Sequence, residues 1–259
     1  MSPSSHEIAE ADRVELTRRP EGRPVMLQRW RRLLFLHWEV PVDAIRRVLP
    51  AGLEPDLFEG RAYVGLVPFA MEGIRPRGLP AVRGLSNFLE TNVRTYVHHQ
   101  GRRPGVWFFS LDAANAVGAA LGRGWFGLPY FFARMGLTAE ESGGTLRLAY
   151  RSERLYPGPK PATTRIEAEV SSPVEPARPG SLEYFLAERY LLYSATRRGE
   201  LSTGRVYHTP YPLQVAEVRA LEESALLAAG IERPDSAPLA HYASGVDVEV
   251  FPLARVRTV

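Results

Sequence analysis

From Asn87 to Val97 the side chains alternate in kind with a period of two. Leu89, Thr91, Val93, Thr95 and Val97 fall on one face, and Phe88, Glu90, Asn92, Arg94 and Tyr96 on the other. That is the period of a β-strand, whose successive side chains point to opposite sides. A fold built from this chain must therefore contain a sheet with one β-branched face and one face carrying a carboxylate, an amide, a guanidinium and a phenol. If the second face looks inward, those groups converge on a cavity; if it looks to solvent, Thr91, Val93 and Val97 pack the core. Periodicity alone leaves that choice open.

The flanking segments extend the sheet. A Gly- and Arg-containing turn at Gln100–Pro104 leads to a second apolar run, Val106–Leu111, which predicts an antiparallel hairpin. Leu33–Trp38 is an apolar run of strand length, Asp43–Leu49 has helical spacing between Pro41 and Pro50, and Ala62–Phe69 is extended again. Arg75–Gly84 reads as a loop from its Pro and Gly content. Asp112 is placed to cap a helix over Ala113–Leu121, which Gly122 and Gly124 break. Further strands are expected at Thr145–Tyr150, Thr164–Val170, Tyr190–Ser194 and Gly204–His208, with a rigid loop at Pro173–Pro179. Ser181 is expected to cap a helix reaching Arg189, and Glu222–Ala229 reads as a late helix. Many short strands with few helices predict an α+β domain on a largely antiparallel, curled sheet. Residues 1–24 are polar and unpatterned and read as a flexible tail before a single domain over 25–259.

Composition excludes more than it identifies. The chain has 259 residues, 45% of them hydrophobic, enough for a large core. There is no apolar run long enough to span a membrane and no secretory h-region, so the expected address is cytoplasmic, with no membrane partner. Zero cysteines rule out disulfides and thiolate chemistry. The net charge is +3, but the arginines are scattered among acids instead of clustered, so a nucleic-acid partner is not expected. Of 32 basic residues only Lys160 is a lysine, a bias that a GC-rich coding sequence produces without functional selection. No Walker, HExxH or GxSxG motif is present, and the glycines at 118, 122 and 124 have the wrong spacing for a dinucleotide fingerprint.

Three segments taken together carry a family resemblance: FLHWEVPVDAIRRVLPAGLEPDLFEGRAYVGLVPF (Phe35 to Phe69), LETNVRTYVHHQGRRPGVWFFSLDAANAV (Leu89 to Val117) and FGLPYFFARM (Phe126 to Met135). SLEYFLAERYLLYSA, with HTPYPLQ after it, extends the match to about Val215. The chain resembles the YqjF-like family of uncharacterised conserved proteins in the acetoacetate decarboxylase-like superfamily. That resemblance implies an antiparallel β-barrel or cone with a few short flanking helices and a small-ligand cavity inside. Decarboxylases of the superfamily carry a Pro-Lys-Lys motif whose lysine attacks the substrate ketone. The matching positions here are Pro129, Tyr130 and Phe131, and a phenol forms no iminium, so the resemblance implies the scaffold without its Schiff base. It also implies that Arg31, or Arg32 by a one-residue slip, meets a substrate carboxylate, and that Glu90 lies in the active site. Asp112 matches a structural Leu-Asp pair, alongside its reading as a helix cap.

The resemblance locates the cavity beside Glu90 and so favours the Glu90, Asn92, Arg94 and Tyr96 face as its lining. Glu90 and Tyr130 are the catalytic candidates, the phenol as a donor to a ligand oxygen or simply as a packing aromatic. Arg31, Asn92, Arg94, Tyr96, His37 and His208 are the ligand-binding candidates; the two histidines could act as acid or base near neutral pH, although such histidines are more often structural side chains. His98 and His99 are adjacent on a strand and point to opposite faces, against a shared metal. The expectation is a protein without cofactor or metal that binds a small carboxylate or carbonyl compound, and homo-oligomers are compatible with it. The alternatives are a lysine-independent enzyme acting on a keto or hydroxy acid by acid–base catalysis, and a structural or interaction protein whose pocket is filled by its own side chains.

Overall fold

Strand β1 explains why its sequence reads as unbroken apolar rather than alternating. In a computed structural model, which describes residues 8–196 and 198–256, β1 spans Met26–Val40 and is the central wall between two packed compartments. Leu34, Leu36 and Trp38 belong to one core, with Val64, Leu66 and Ile166; Leu33 and Phe35 belong to the other, with Val67, Phe69 and Val248. A strand buried on both faces has no polar side to alternate with. The expected strand at Leu33–Trp38 is its apolar half; the N-terminal half, rich in Arg and Gln, hides its period. One extra residue is accommodated between Arg31 and Leu36, with Arg32 at φ 52°, a β-bulge against the neighbouring strand β3 (Ala62–Pro76).

The remaining strands are β2 (Glu54–Pro55), β4 (Phe88–His99), β5 (Arg102–Ala113), β6 (Tyr130–Ser142), β7 (Thr145–Tyr156), β8 (Thr163–Val170), β9 (Leu191–Ala195), β10 (Leu201–Tyr207), β11 (Leu213–Glu223), β12 (Leu239–Val250) and β13 (Ala254–Arg255). Among the described residues five short helices accompany them: α1 (Glu10–Leu16), α2 (Val42–Val48), α3 (Ala116–Phe126), α4 (Leu182–Ala187) and α5 (Ala225–Ala228). All the strands join one sheet in the order β13-β10-β9-β5-β6-β7-β8-β11-β12-β1-β3-β4-β2, and it closes on itself because β4 also pairs with β5 and β10 with β12. The result is a sheet ring with a second, smaller ring, β12-β1-β3-β4-β5-β9-β10, sharing one wall with it.

The predicted hairpin β4–β5 is present and antiparallel. The sheet as a whole is mixed, not purely antiparallel as expected, because β5 runs parallel to both β6 and β9. The parallel β5–β6 step requires a crossover, and α3 supplies it. Asp112 does not cap this helix. It lies within β5, opposite Thr91 and Phe131, and its Oδ1 accepts from Arg154 Nε at 2.7 Å in a buried ion pair. Asn115 is the cap, accepting from Gly118 N. Nor does Gly122 end the helix: the next turn runs to Gly127, at φ 62°. A Cβ at Gly122 would come within 2.5 Å of the Tyr130 ring, so the glycine is a close-packing residue between α3 and β6.

Ser181 caps α4 as expected, accepting from Tyr184 N at 3.2 Å, but the helix ends at Ala187. Glu222 and Glu223 belong to β11, so the late helix keeps only Ala225–Ala228. Strands β2, β6, β11, β12 and β13 match no expected strand. Residues 1–7 of the expected tail lie outside the described residues. From Ile8 onward the segment is not a loose tail: α1 packs on the ring, and Arg13 is buried, donating to Asp56 Oδ1 at 2.5 Å. No described helix is long and apolar enough to cross a membrane.

Candidate functional site

Within the smaller ring the polar face of β4 points inward. Glu90, Asn92 and Arg94 line a cavity of about 110 Å³, closed on the apolar side by Leu33, Val67 and Phe69. That volume holds several water-sized groups, hence a compact molecule of a few heavy atoms. Tyr130 enters it from the first residue of β6, because the turn at Gly127–Pro129 brings that strand alongside Leu111 of β5. Its hydroxyl donates to Glu90 Oε2 at 3.1 Å. Arg189, just beyond α4, completes the ring of polar groups.

Glu90, Arg94 and Arg189, which line the cavity, are all buried. Glu90 is 2% exposed, and its pKa is raised to about 8, mainly because burial strips water from the carboxylate. Hydrogen bonds from Tyr130 and Asn92 oppose the rise, and the negative charge of Asp112 adds to it. At neutral pH Glu90 is therefore mostly a neutral acid. Burial and the neighbouring Glu90 push the Tyr130 phenol well above its ordinary value, so it is a donor and not a phenolate.

Two guanidiniums line the same cavity. Arg94 is 8% exposed; Nη2 donates to Leu186 O at 2.9 Å and Nε has no partner. Among the described residues no carboxylate pairs with it. Arg189 is held by Phe185 O at Nε and by Asp56 Oδ2 at Nη1, 2.7 Å each, leaving Nη2 unpartnered. Asp56 in turn is shared with Arg13. Asn92 Oδ1 is likewise buried without a partner. A buried cation without a carboxylate is costly; Arg94 stands over the Phe35 and Tyr96 rings, 5.5 and 5.8 Å from their centroids, and also lines the cavity.

The other sequence-predicted residues lie elsewhere. Tyr96, two positions beyond Arg94, passes under α4: its hydroxyl donates to Leu186 O at 2.6 Å and lies 2.7 Å from His37 Nε2. With the phenolic proton so used, His37 must be the donor to Tyr96, the Nε2-protonated tautomer, with Nδ1 bare. Its pKa sits well below the ordinary value, chiefly through burial and then through Arg94, so it is a structural, neutral histidine. His208 is stacked on Tyr190 with centroids 4.4 Å apart and contacts Trp30 and Tyr211, which line the cavity. Its Nδ1 is 2.8 Å from Thr209 O and burial lowers its pKa to about 4.

Arg31 does not reach the cavity: it is tied to Val246 O and Asp247 on the far side of β1. Arg32 is exposed. The bulge between them turns both outward, and Gly245 opposite leaves room for the Arg31 stem. Arg94 and Arg189 stand where that arginine was expected. Arg189 was missed, although the charged pair Glu188-Arg189 inside an otherwise apolar run is a readable sign of a buried ion network. Lys160 is exposed in the β7–β8 loop and lines no part of the cavity.

A sheet ring with this closure is the acetoacetate decarboxylase-like fold. The fold is shared with the enduracididine biosynthesis enzyme MppR complexed with pyruvate (TM-score 0.60, 15% identity, 90% of this chain and 91% of that one). It is shared equally with acetoacetate decarboxylase from Legionella pneumophila (TM-score 0.58, 16% identity, 99% and 98%). Within that class the chain belongs to the DUF2071 family of uncharacterised conserved proteins, matched over residues 27–247. It is 38% identical over 236 residues to the protein YqjF of Bacillus subtilis (strain 168), covering 91% of this chain and 94% of that one.

Proposed function

We propose that this protein binds a small organic carboxylate bearing a carbonyl or hydroxyl group in the cavity between β1, β3, β4 and β5. The observation that carries the reading is Arg94: a buried guanidinium without a carboxylate partner among the described residues, beside a small, mostly apolar cavity whose other polar groups include Glu90, Asn92, Tyr130 and Arg189. An anion there supplies the missing counter-charge and accepts from Arg94 and Arg189, while the Glu90–Tyr130 pair offers a hydrogen bond to a second oxygen. A pyruvate-bound protein of the same fold supports the ligand class. With no lysine in the cavity, the reading excludes covalent capture of the carbonyl.

Calorimetric titration with pyruvate and with three- to five-carbon 2-oxo and 2-hydroxy acids is expected to show saturable binding below pH 8. Binding weakens above that pH, where ionised Glu90 repels the anion. Arg94→Met is expected to lower affinity by about ten- to hundredfold, the worth of one hydrogen bond to a charged group, without loss of folding. Absence of binding by every acid in the set, or an unchanged affinity in Arg94→Met, would sink the proposal.

A catalytic reading of the same pocket is favoured by one observation: the Glu90 pKa near 8 suits a proton shuttle at neutral pH. In that reading the ionised fraction of Glu90, roughly a tenth at pH 7, takes a proton from the carbon beside the ligand carbonyl and returns it, and Tyr130 donates to the oxygen on which charge develops. Proton NMR in D2O would then show protein-dependent loss of the C3 protons of a 2-oxo acid, abolished in Glu90→Gln. If exchange matches the protein-free rate, binding stands alone.

A further inference from the structure

The wall between the cavity and the outside is incomplete along one edge of β5. On that edge β9 pairs only with Val106 and Trp107, and β6 only from Leu111 to Ala113. Residues 108–110 lie in the split between the two parallel partners. On the opposite edge Arg94 faces Phe108 and Val93 faces Ser110, so Phe109 is the extra residue of a bulge and the strand bends there. Outside the split lies a groove of about 1060 Å³ beneath α3, lined by Trp107, Phe109, Ala116, Ala120 and the Gly127–Pro129 turn. Phe108 and Leu128 line both the groove and the inner cavity. A partition one side chain thick therefore separates a small cationic chamber from a larger apolar one.

We infer that the cavity's ligand is a carboxylate with an apolar tail, its head held at Arg94 and Arg189 and its tail passing Phe108 and Leu128 into the groove under α3. This rests on the carboxylate reading above and adds the substrate class. The two spaces differ as the two ends of such a molecule do. The inner one holds unpartnered Arg94 Nε and Arg189 Nη2 and has room for only a few heavy atoms. The outer one presents aromatic and alanine side chains, with Arg123 its one cation among the described residues. Alanines at 116 and 120, one helical turn apart on α3, keep the groove open where larger residues would close it.

The test is a calorimetric series of straight-chain 2-oxo acids from three to ten carbons, on the full chain. Affinity is expected to rise by about two- to fourfold per added methylene once the tail reaches the groove, the upper figure being full burial of each CH2. Ala120→Trp and, independently, Ala116→Trp put an indole in the groove from exposed helix positions. Each is expected to collapse the ratio of eight-carbon to three-carbon affinity at least tenfold. Affinity independent of chain length, or a ratio unmoved in both variants, overturns the tail inference while the short acids still bind. Failure of the three-carbon acid and of every longer one overturns the carboxylate reading beneath it.

Discussion

Burial removes the water that would stabilise an ionised Glu90, and Tyr130 and Asn92 only partly replace it. The carboxyl is thus held as an acid, and its proton links folding to pH. Its folded pKa, about 8, lies above the ordinary 4.5, so the native state holds the proton more tightly than the unfolded chain. The favourable contribution is fully present below about pH 4.5 and is lost as pH rises through 8, a change on the order of 5 kcal/mol. Glu90→Gln cannot titrate, so wild-type stability relative to the variant is expected to fall across that window in urea unfolding at graded pH. Parallel profiles would contradict a buried, proton-holding Glu90. At this scale the sequence was legible where strand alternation operates: Glu90, Asn92 and Arg94 share a face because they are two apart. It was misleading at Arg31, whose direction depends on a bulge that no periodicity reveals, and at Tyr96, which the same alternation carries out of the cavity and under α4.

Among the elements, α3 and the start of β6 are the ones the pocket depends on. Gly122 lets the helix lie against the Tyr130 ring, which keeps the phenol within reach of Glu90. Gly122→Ala is expected to push the ring or the helix aside at a cost of about 1–3 kcal/mol, typical of overpacking, measured by urea unfolding. Weakening the Tyr130 bond removes an effect that lowers the Glu90 pKa, so Glu90 should then titrate above 8, visible by carboxyl 13C NMR. A variant with unchanged stability and titration would show that the contact is slack. Glycines at 122 and 124 read as a helix stop because chain-local rules price them by backbone entropy, whereas here packing against another element decides. Asp112 fails as a cap for a similar reason. A carboxylate ahead of an alanine-rich stretch suits a helix start, but hydrogen bonds to β4 and β6 extend the strand past it and Arg154 takes its charge. Ser181, with no competing strand, caps α4 as its sequence indicates.

For the molecule as a whole, double closure of one sheet creates the site. Within the wall that the two rings share, β12-β1-β3-β4-β5, the strands β1, β3 and β4 are apolar on the larger ring's side and mixed on the smaller ring's side, so the cavity forms where the polar face of β4 meets apolar neighbours. The sheet-dominated α+β class was readable from the number of short strands. The parallel pairs β5–β6 and β5–β9 were not, because they depend on which strands meet after long excursions of the chain. Nor was the Arg13–Asp56–Arg189 network, which joins positions far apart in sequence. In the proposed complex a carboxylate sits at Arg94 and Arg189 beside a protonated Glu90. The most direct test is a crystal structure grown with a three-carbon 2-oxo acid at pH 6.5. The account predicts ligand density in the cavity, with the carboxylate within hydrogen-bonding distance of both guanidiniums and the carbonyl oxygen facing Glu90 and Tyr130. A cavity filled by the protein's own side chains, or holding water while the acid binds elsewhere, would contradict it.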